Sequence, residues 1–336
     1  MTPRHIRSMT SRKVLYAAIA GDLAVAATKL TAALWTGSSV MMSEAVHSVV
    51  DSGNSMLILY GMHRAIRRPD RAHPLGYGRE IYFWSFVVAV QVFALGAGVT
   101  LYEGVTHVLA PQPIQDIGVN FAVIGLSALF DGTTWWIALK AFKGRKPWSA
   151  VPAAIHDSKD PPSFIVIFED SASLIGLAIA FLGSLLTVAF HAPIIDAVAS
   201  LLIGVLLATT ATLLARETKG LLMGEAADPA IVAALLGLAK DMSGVANANG
   251  ILTVHMGPRQ IVVALSLEFA DDLTTPGIEA KISELEQRLR LAHPDVIAVF
   301  VRPQSAEGYA TMIAHRFGIA GADTERKQTP ADVRPT

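Results

Sequence analysis

The chain has 336 residues, of which 52% are hydrophobic and 16% are charged, and its formal net charge at pH 7 is −1. Soluble domains carry about 25% charged residues, so this chain is poor in charge. A net charge near zero also lacks the excess of Lys and Arg that is typical of nucleic-acid-binding proteins. The chain has no cysteine, which excludes disulfides, thiolate nucleophiles, zinc fingers and iron–sulfur centres. Any bound metal must therefore be held by His, Asp, Glu or backbone oxygen.

Apolar segments long enough to cross a bilayer recur from Val14 onward. Since a helix needs about 20 residues to cross the hydrocarbon core, the sequence predicts a polytopic α-helical membrane protein with six transmembrane helices. Their expected bounds are Val14–Trp35, Val40–Met62, Ile81–Leu109, Val119–Phe142, Ser163–Phe190 and Ile194–Ala215. The first run is too long for a signal peptide, so it is interpreted as a retained span. Residues 14–216 are then the membrane domain, and residues 1–13 are an N-terminal segment.

Basic residues predict the orientation of these spans. They gather in the second-to-third and fourth-to-fifth connections and after the sixth span, whereas the three opposite connections carry no Lys or Arg. The basic residues of these connections are Arg64, Arg67, Arg68, Arg71, Arg79, Lys140, Lys143, Arg145, Lys146, Lys159, Arg216 and Lys219. By the positive-inside rule, both termini are expected to face the cytoplasm.

After the sixth span the pattern changes to that of a soluble domain, predicted over residues 217–304. Helical and strand-like periods follow in the order α-β-β-α-β, which predicts a small two-layer α+β domain of ferredoxin-like type. The expected elements are a helix from Asp228-Pro229 to Met242, strands Ile251–Met256 and Gln260–Phe269, a helix from Thr275, and a strand Asp295–Val301. Residues 305–336, polar and Pro-bearing from Gly318, are expected to form a largely disordered tail.

Ionisable residues inside the second span are the first candidates for function. His47 and Asp51 are four residues apart, so on a helix they share one face, with Glu44 on or beside the same stripe. Such groups are costly at membrane depth and usually face a bundle interior or a wet cavity. A His and a carboxylate can supply half of a four-ligand metal site. The alternative is a structural His–Asp pair inside the bundle.

The fifth span offers a second half for such a site. Glu169 and Asp170 follow one another deep in an apolar segment and need a partner there. Together with His47 and Asp51 they could converge on one divalent cation, and a mixed nitrogen and oxygen set suits zinc, manganese or iron but not copper(I). In the first span, Asp22 and Lys29 share a face, and a structural role is favoured for them.

Several stretches together resemble the cation diffusion facilitator family of metal transporters. They are Thr36-Gly-Ser-Ser39, Glu44-Ala-Val-His47-Ser-Val-Val-Asp51, His73-Pro-Leu-Gly-Tyr-Gly-Arg79-Glu80, Glu169-Asp170 with Gly176, and Leu222-Met-Gly224-Glu225. The resemblance covers nearly everything except the tail. It implies a homodimeric exporter of a divalent metal, driven by proton antiport, with no prosthetic group.

The resemblance also implies the cargo, the site and the location. Zinc is the expected cargo, with Mn²⁺, Fe²⁺, Co²⁺ and Cd²⁺ left open. The expected metal-binding residues are His47, Asp51, Asp170 and Glu169. The expected location is the inner (plasma) membrane of a bacterium, with the C-terminal α+β domain in the cytoplasm, where it holds two protomers together.

The chain departs from the family pattern at three places. Val166 stands where the fifth span usually offers a His or Asp, so a fourth ligand must come from Glu169 or water. A loop site keeps Asp70 and His73, but Tyr77 replaces its second His, which favours a loop-ordering role. The C-terminal domain lacks the family's His and Asp set, and its two histidines at 255 and 293 are interpreted mainly as surface or capping residues.

Two rival functions were weighed against transport. Glu44-Ala-Val-His47 is an E-x-x-H, the pair used in di-iron bundles, but such an enzyme needs a second E-x-x-H that no other span offers. The other rival is a membrane metal sensor or scaffold that does not transport. Metal flux into liposomes distinguishes a transporter from such a sensor or scaffold.

Overall fold

The computed structural model of the protein describes residues 23–37, 39–111, 116–143, 147, 149 and 158–317. These residues form two compact units that divide between Met223 and Gly224. The predictions for residues 1–13, for the start of the first span and for Asp22 lie outside the described residues.

All regular secondary structure among the described residues of the first unit is helical. Its helices are α1 Leu23–Thr36, α2 Ser39–Ala65, α3 Glu80–Leu109, α4 Ile117–Lys143, α5 Pro161–Phe190 and α6 Ile194–Met223. Helices α3 to α6 are long and apolar enough to cross a membrane. Helix α2 is as long as α4, 27 residues, but its composition is less apolar because it carries the polar residues of the predicted site. The chain is therefore a helical, membrane-type protein with at least four apolar spans.

The predicted end of the membrane domain at residue 216 stays a prediction, and it lies inside a helix. Helix α6 continues to Met223, and the second unit begins at Gly224, whose φ is +101°. Positively charged Arg216 and Lys219 mark where a span leaves the hydrocarbon, but they do not end a helix because both are good helix formers. A residue without a side chain adopts positive φ at little cost, so the helix ends at Gly224.

The second unit confirms the predicted order of elements. Its elements are α7 Pro229–Lys240, β1 Val245–Gly257, β2 Gln260–Phe269, α8 Thr275–Ala292, β3 Val296–Pro303 and α9 Ala306–Phe317. The sheet order is β1-β2-β3, in which β1 and β2 are antiparallel and β2 and β3 are parallel. Helix α8 makes the crossover that a parallel pair requires. Apolar side chains of α7, α8 and the sheet form one core.

The predicted tail begins with a helix. Residues 306–317 form α9, which packs on β1. The Glu268 side chain accepts a hydrogen bond from the backbone N–H of Ala306 at 3.3 Å, which satisfies one donor in the first turn of that helix. This partner lies on β2, so a local reading of the polar C-terminal sequence does not reveal it. The prediction for residues 318–336 lies outside the described residues.

Polar contacts from α6 hold the N-terminal end of α2 in place. The Asp196 carboxylate accepts a hydrogen bond from the backbone N–H of Val40 at 3.2 Å, and the hydroxyls of Ser43 and Ser200 are hydrogen-bonded to each other. An acid at a helix N-terminus satisfies an orphan donor and complements the helix dipole. These contacts determine which face of α2 turns towards the bundle.

Candidate metal site

Four polar side chains follow one face of α2 at spacings of three, four and three residues. They are Glu44, His47, Asp51 and Asn54, named here the α2 stripe. At 1.5 Å rise per residue the stripe is about 15 Å long. Glu44 and Asn54 are fully buried, His47 is 2% exposed, and the side chain of Asp51 is 26% exposed. The stripe therefore faces the bundle rather than lipid.

The predicted pair lies at the centre of the stripe. The Nε2 atom of His47 lies 3.2 Å from the Oδ2 atom of Asp51, as the i, i+4 spacing predicts. In the neutral ring a proton on Nε2 can be shared with this carboxylate, and Nδ1 then keeps a lone pair. Nδ1 is buried and has no hydrogen-bond partner among the described residues. A buried imidazole nitrogen without a donor is chemically suited to a metal ion.

One end of the stripe is joined to the fifth helix. The Nδ2 atom of Asn54 donates a hydrogen bond to the Oε1 atom of Glu169 at 2.7 Å, and Glu169 is 8% exposed. The sequence analysis missed Asn54, although its position three residues after Asp51 places it on the same face. The contact shows that α2 and α5 pack together beside the predicted pair.

The other end of the stripe meets the first and fourth helices. The Nζ atom of Lys29 lies 3.3 Å from the Oε2 atom of Glu44 and 3.4 Å from the Oδ2 atom of Asp131. Lys29 is 1% exposed, so an ammonium group and two carboxylates share the interior of the bundle. Helical spacing in the first span relates Lys29 only to Asp22. Neither of these two partners is predictable from that spacing, because they lie 15 and 102 residues away.

Asp170 follows Glu169 on α5 and is half-buried. The described residues contain no group of three or more His, Asp and Glu side chains arranged to hold a metal ion. The convergence of His47, Asp51 and Asp170 on one ion therefore stays a prediction.

The remaining candidates have local partners. In the loop after α2, Asp70 accepts hydrogen bonds from the Tyr77 hydroxyl at 2.6 Å and from the His73 backbone at 2.8 Å. The Tyr77 hydroxyl lowers the pKa of Asp70 below its usual range. In the second unit, His255 is 4% exposed, so its interpretation as a surface residue is wrong, and its Nδ1 atom lies 3.2 Å from the Gly257 carbonyl oxygen. His293 follows the last turn of α8.

A family model described as the cation efflux transmembrane domain matches residues 15–223. This range covers more than half of the chain, and it includes the α2 stripe, Lys29, Asp131 and the acidic pair of α5.

Three relatives illustrate the similarity. Metal tolerance protein C4 of Arabidopsis thaliana is 33% identical over 239 residues, which are 70% of this chain and 52% of that protein. The human mitochondrial proton-coupled zinc antiporter SLC30A9 is 28% identical over 249 residues, 74% of this chain and 44% of that protein. The cation-efflux pump FieF of Yersinia enterocolitica is 26% identical over 296 residues, 87% and 91% of the two chains. The chain thus spans about half the length of the first two relatives and most of the third.

Proposed function

Since the chain belongs to the cation diffusion facilitator family, we propose that it exports a divalent metal, preferentially zinc, in exchange for protons. The observation that carries this proposal is the buried His47–Asp51 pair at the centre of the α2 stripe, with a free imidazole nitrogen and an acidic helix packed beside it. Divalent cation transport is supported by the similarity to a zinc antiporter and to a cation-efflux pump. Zinc and proton coupling are supported by the SLC30A9 relative, which is a proton-coupled zinc antiporter.

The proposed binding step uses the charge of the ion itself. His47 and Asp51 present one nitrogen and one oxygen ligand on α2, and Asp170 and Glu169 present carboxylates on α5. A divalent cation held by ligands from both helices offsets the repulsion among these carboxylates, and it stabilises the conformation in which the ligands converge. Because Val166 offers no ligand, Glu169 or water completes the set.

Proton coupling follows from the chemistry of the ligands. A metal binds the neutral imidazole and the ionised carboxylates, so metal and protons compete for the same groups. Metal enters from the cytoplasmic side, and protons displace it when the site opens to the other side. Alternation between these two openings converts a proton gradient into metal export.

The number and orientation of the spans and the fold of the second unit are also proposed here. We place six spans in the membrane with both termini in the cytoplasm, and assign the second unit a ferredoxin-like fold that joins two protomers. Its sheet supports this assignment, because β2 and β3 are parallel and α8 makes the crossover between them. The proposed location is a bacterial inner membrane.

Flux into proteoliposomes tests the function. The full-length chain is reconstituted, a pH gradient is imposed, and uptake of Zn²⁺, Mn²⁺, Fe²⁺, Co²⁺ and Cd²⁺ is followed together with internal pH. We expect zinc uptake that dissipates the pH gradient and stops when an ionophore removes it. Metal binding without flux would favour a sensor or scaffold instead.

Asn54→Leu is expected to weaken zinc transport by disturbing Glu169. The substitution keeps the volume but removes the donor that holds the Glu169 carboxylate at 2.7 Å. Loss of a residue that orients a ligand typically costs about 10–100-fold in metal affinity. The expected result is an increase of that size in the zinc concentration that gives half-maximal uptake.

Asn120→Leu is the matched control for this prediction. Asn120 is also fully buried and donates one hydrogen bond to α5, to Ser184 at 2.8 Å, but it lies off the α2 stripe. We expect its half-maximal zinc concentration to stay near that of the native chain. Equal shifts in both variants would assign Asn54 a packing role only.

A further inference from the structure

The cluster around Lys29 joins four helices and has no part in the proposed transport step. Lys29 of α1 lies between Glu44 of α2 and Asp131 of α4. The hydroxyl of Ser173, on α5, donates a hydrogen bond at 2.6 Å to the same Asp131 oxygen that faces the ammonium. An ammonium group thus lies where two carboxylates from separate helices meet.

The Lys29 ammonium does not satisfy every carboxylate oxygen around it. One positive charge faces two carboxylates, and the Oε1 atom of Glu44 is buried without a hydrogen-bond partner among the described residues. That oxygen faces Gly176, where an added Cβ would lie only 2.6 Å from it. A desolvated carboxylate oxygen without a donor is costly, and a divalent cation would satisfy it better than one ammonium group.

We propose that Glu44 and Asp131 form a second cation-binding site whose resident cation is the ammonium of Lys29. The tethered charge occupies the place that a divalent ion would otherwise take, and it keeps a second metal out of the bundle. Transport at the His47–Asp51 pair therefore proceeds with one ion in each protomer. A merely structural ion pair would have no such effect on the number of metals bound.

The donor set predicts which metal the vacated site would bind. Two carboxylates and one hydroxyl are oxygen ligands only, and oxygen ligands suit Mn²⁺ better than a nitrogen-bearing set does. Two negative charges also match one divalent ion in a buried site. The proposal therefore uses Mn²⁺ as its probe, because its bound form can be counted by electron paramagnetic resonance.

The experiment counts bound Mn²⁺ per protomer in the purified full-length chain after equilibrium dialysis. Lys29→Met removes the resident cation, and we expect it to bind one Mn²⁺ more than the native chain. Lys29→Arg keeps the charge and should bind the native number. Adding Glu44→Gln and Asp131→Asn to Lys29→Met should return the count to the native value.

Two further variants keep the result interpretable. Lys219→Met makes the same substitution at an exposed position of α6 and should leave the count unchanged. Lys29→Gln keeps a hydrogen-bond donor between the carboxylates and removes only the charge, so it serves if Lys29→Met is not monodisperse by size-exclusion chromatography. An unchanged Mn²⁺ count in the folded uncharged variant would overturn the proposal.

Asp51→Asn separates this inference from the proposed function. In the native background Asp51→Asn should lower the number of bound Zn²⁺ ions by one, since it removes a ligand of the transport site. Combined with Lys29→Met it should still bind the additional Mn²⁺. An unchanged Zn²⁺ count in Asp51→Asn would refute the transport site, whereas absence of the additional Mn²⁺ in the double variant would refute the Lys29 site.

Discussion

Asp51→Asn is expected to abolish metal-driven transport while leaving the fold intact. The substitution keeps the side-chain volume but replaces a carboxylate by an amide, which is a weaker ligand for a divalent ion and cannot exchange a proton in a useful pH range. Asp51 lies 3.2 Å from His47, so the variant also removes the charge that supports the imidazole. Zinc uptake and metal-dependent proton movement should both fall to the level of protein-free liposomes.

Asp241→Asn is the control for that prediction. Asp241 is exposed at the C-terminal end of α7, so the same chemical change there should leave uptake near the native rate. Both variants are compared by zinc flux and internal pH in the same proteoliposome preparation. Full metal-driven proton flux in Asp51→Asn would show that the His47–Asp51 pair is structural and that the transport site lies elsewhere.

Leu285→Ala is expected to destabilise the second unit by about 2–5 kcal/mol, the usual cost of emptying a buried leucine position. Leu285 is fully buried in the core between α8 and the sheet. A loss of this size is a large part of the total stability of a small domain, which is about 5–15 kcal/mol. Urea unfolding of residues 224–317 should therefore show a markedly lower midpoint concentration.

Leu291→Ala provides a control within the same helix. Leu291 is 76% exposed, and a surface substitution of this kind usually changes stability by less than about 0.5 kcal/mol. The two variants differ only in which face of α8 they occupy. Similar midpoints for both would contradict the assignment of that face to the core.

Periodic segments were predictable because their signals are local. The helix expected from Asp228-Pro229 begins there, and the Asp228 side chain accepts a hydrogen bond from the backbone N–H of Ala230 at 2.7 Å. In the helix expected from Thr275, Leu285 and Leu289 lie four residues apart on one face, and both are fully buried. A helix continues past residue 216 and another begins at Ala306, and composition reveals neither.

Only the α2 half of the candidate metal site was predictable from the sequence. The spacing of His47 and Asp51 lies within a single helix, so its geometry follows from the helical repeat. Asn54 shares that repeat, but nothing in the chain around it indicates Glu169 as its partner, 115 residues away. Lys29 was assigned a structural role, while its carboxylate partners depend on the positions of α2 and α4.

The sequence by itself determined the membrane-type helices, the order of elements in the second unit and the polar face of α2, because each depends on a repeat of 2.0 or 3.6 residues along the chain. Only the tertiary structure decided that Glu169 meets Asn54 and that Lys29 lies between Glu44 and Asp131. The reason is physical. The rotation of one helix about its axis relative to its neighbours is determined by packing over the whole bundle, and it selects which buried charges face each other.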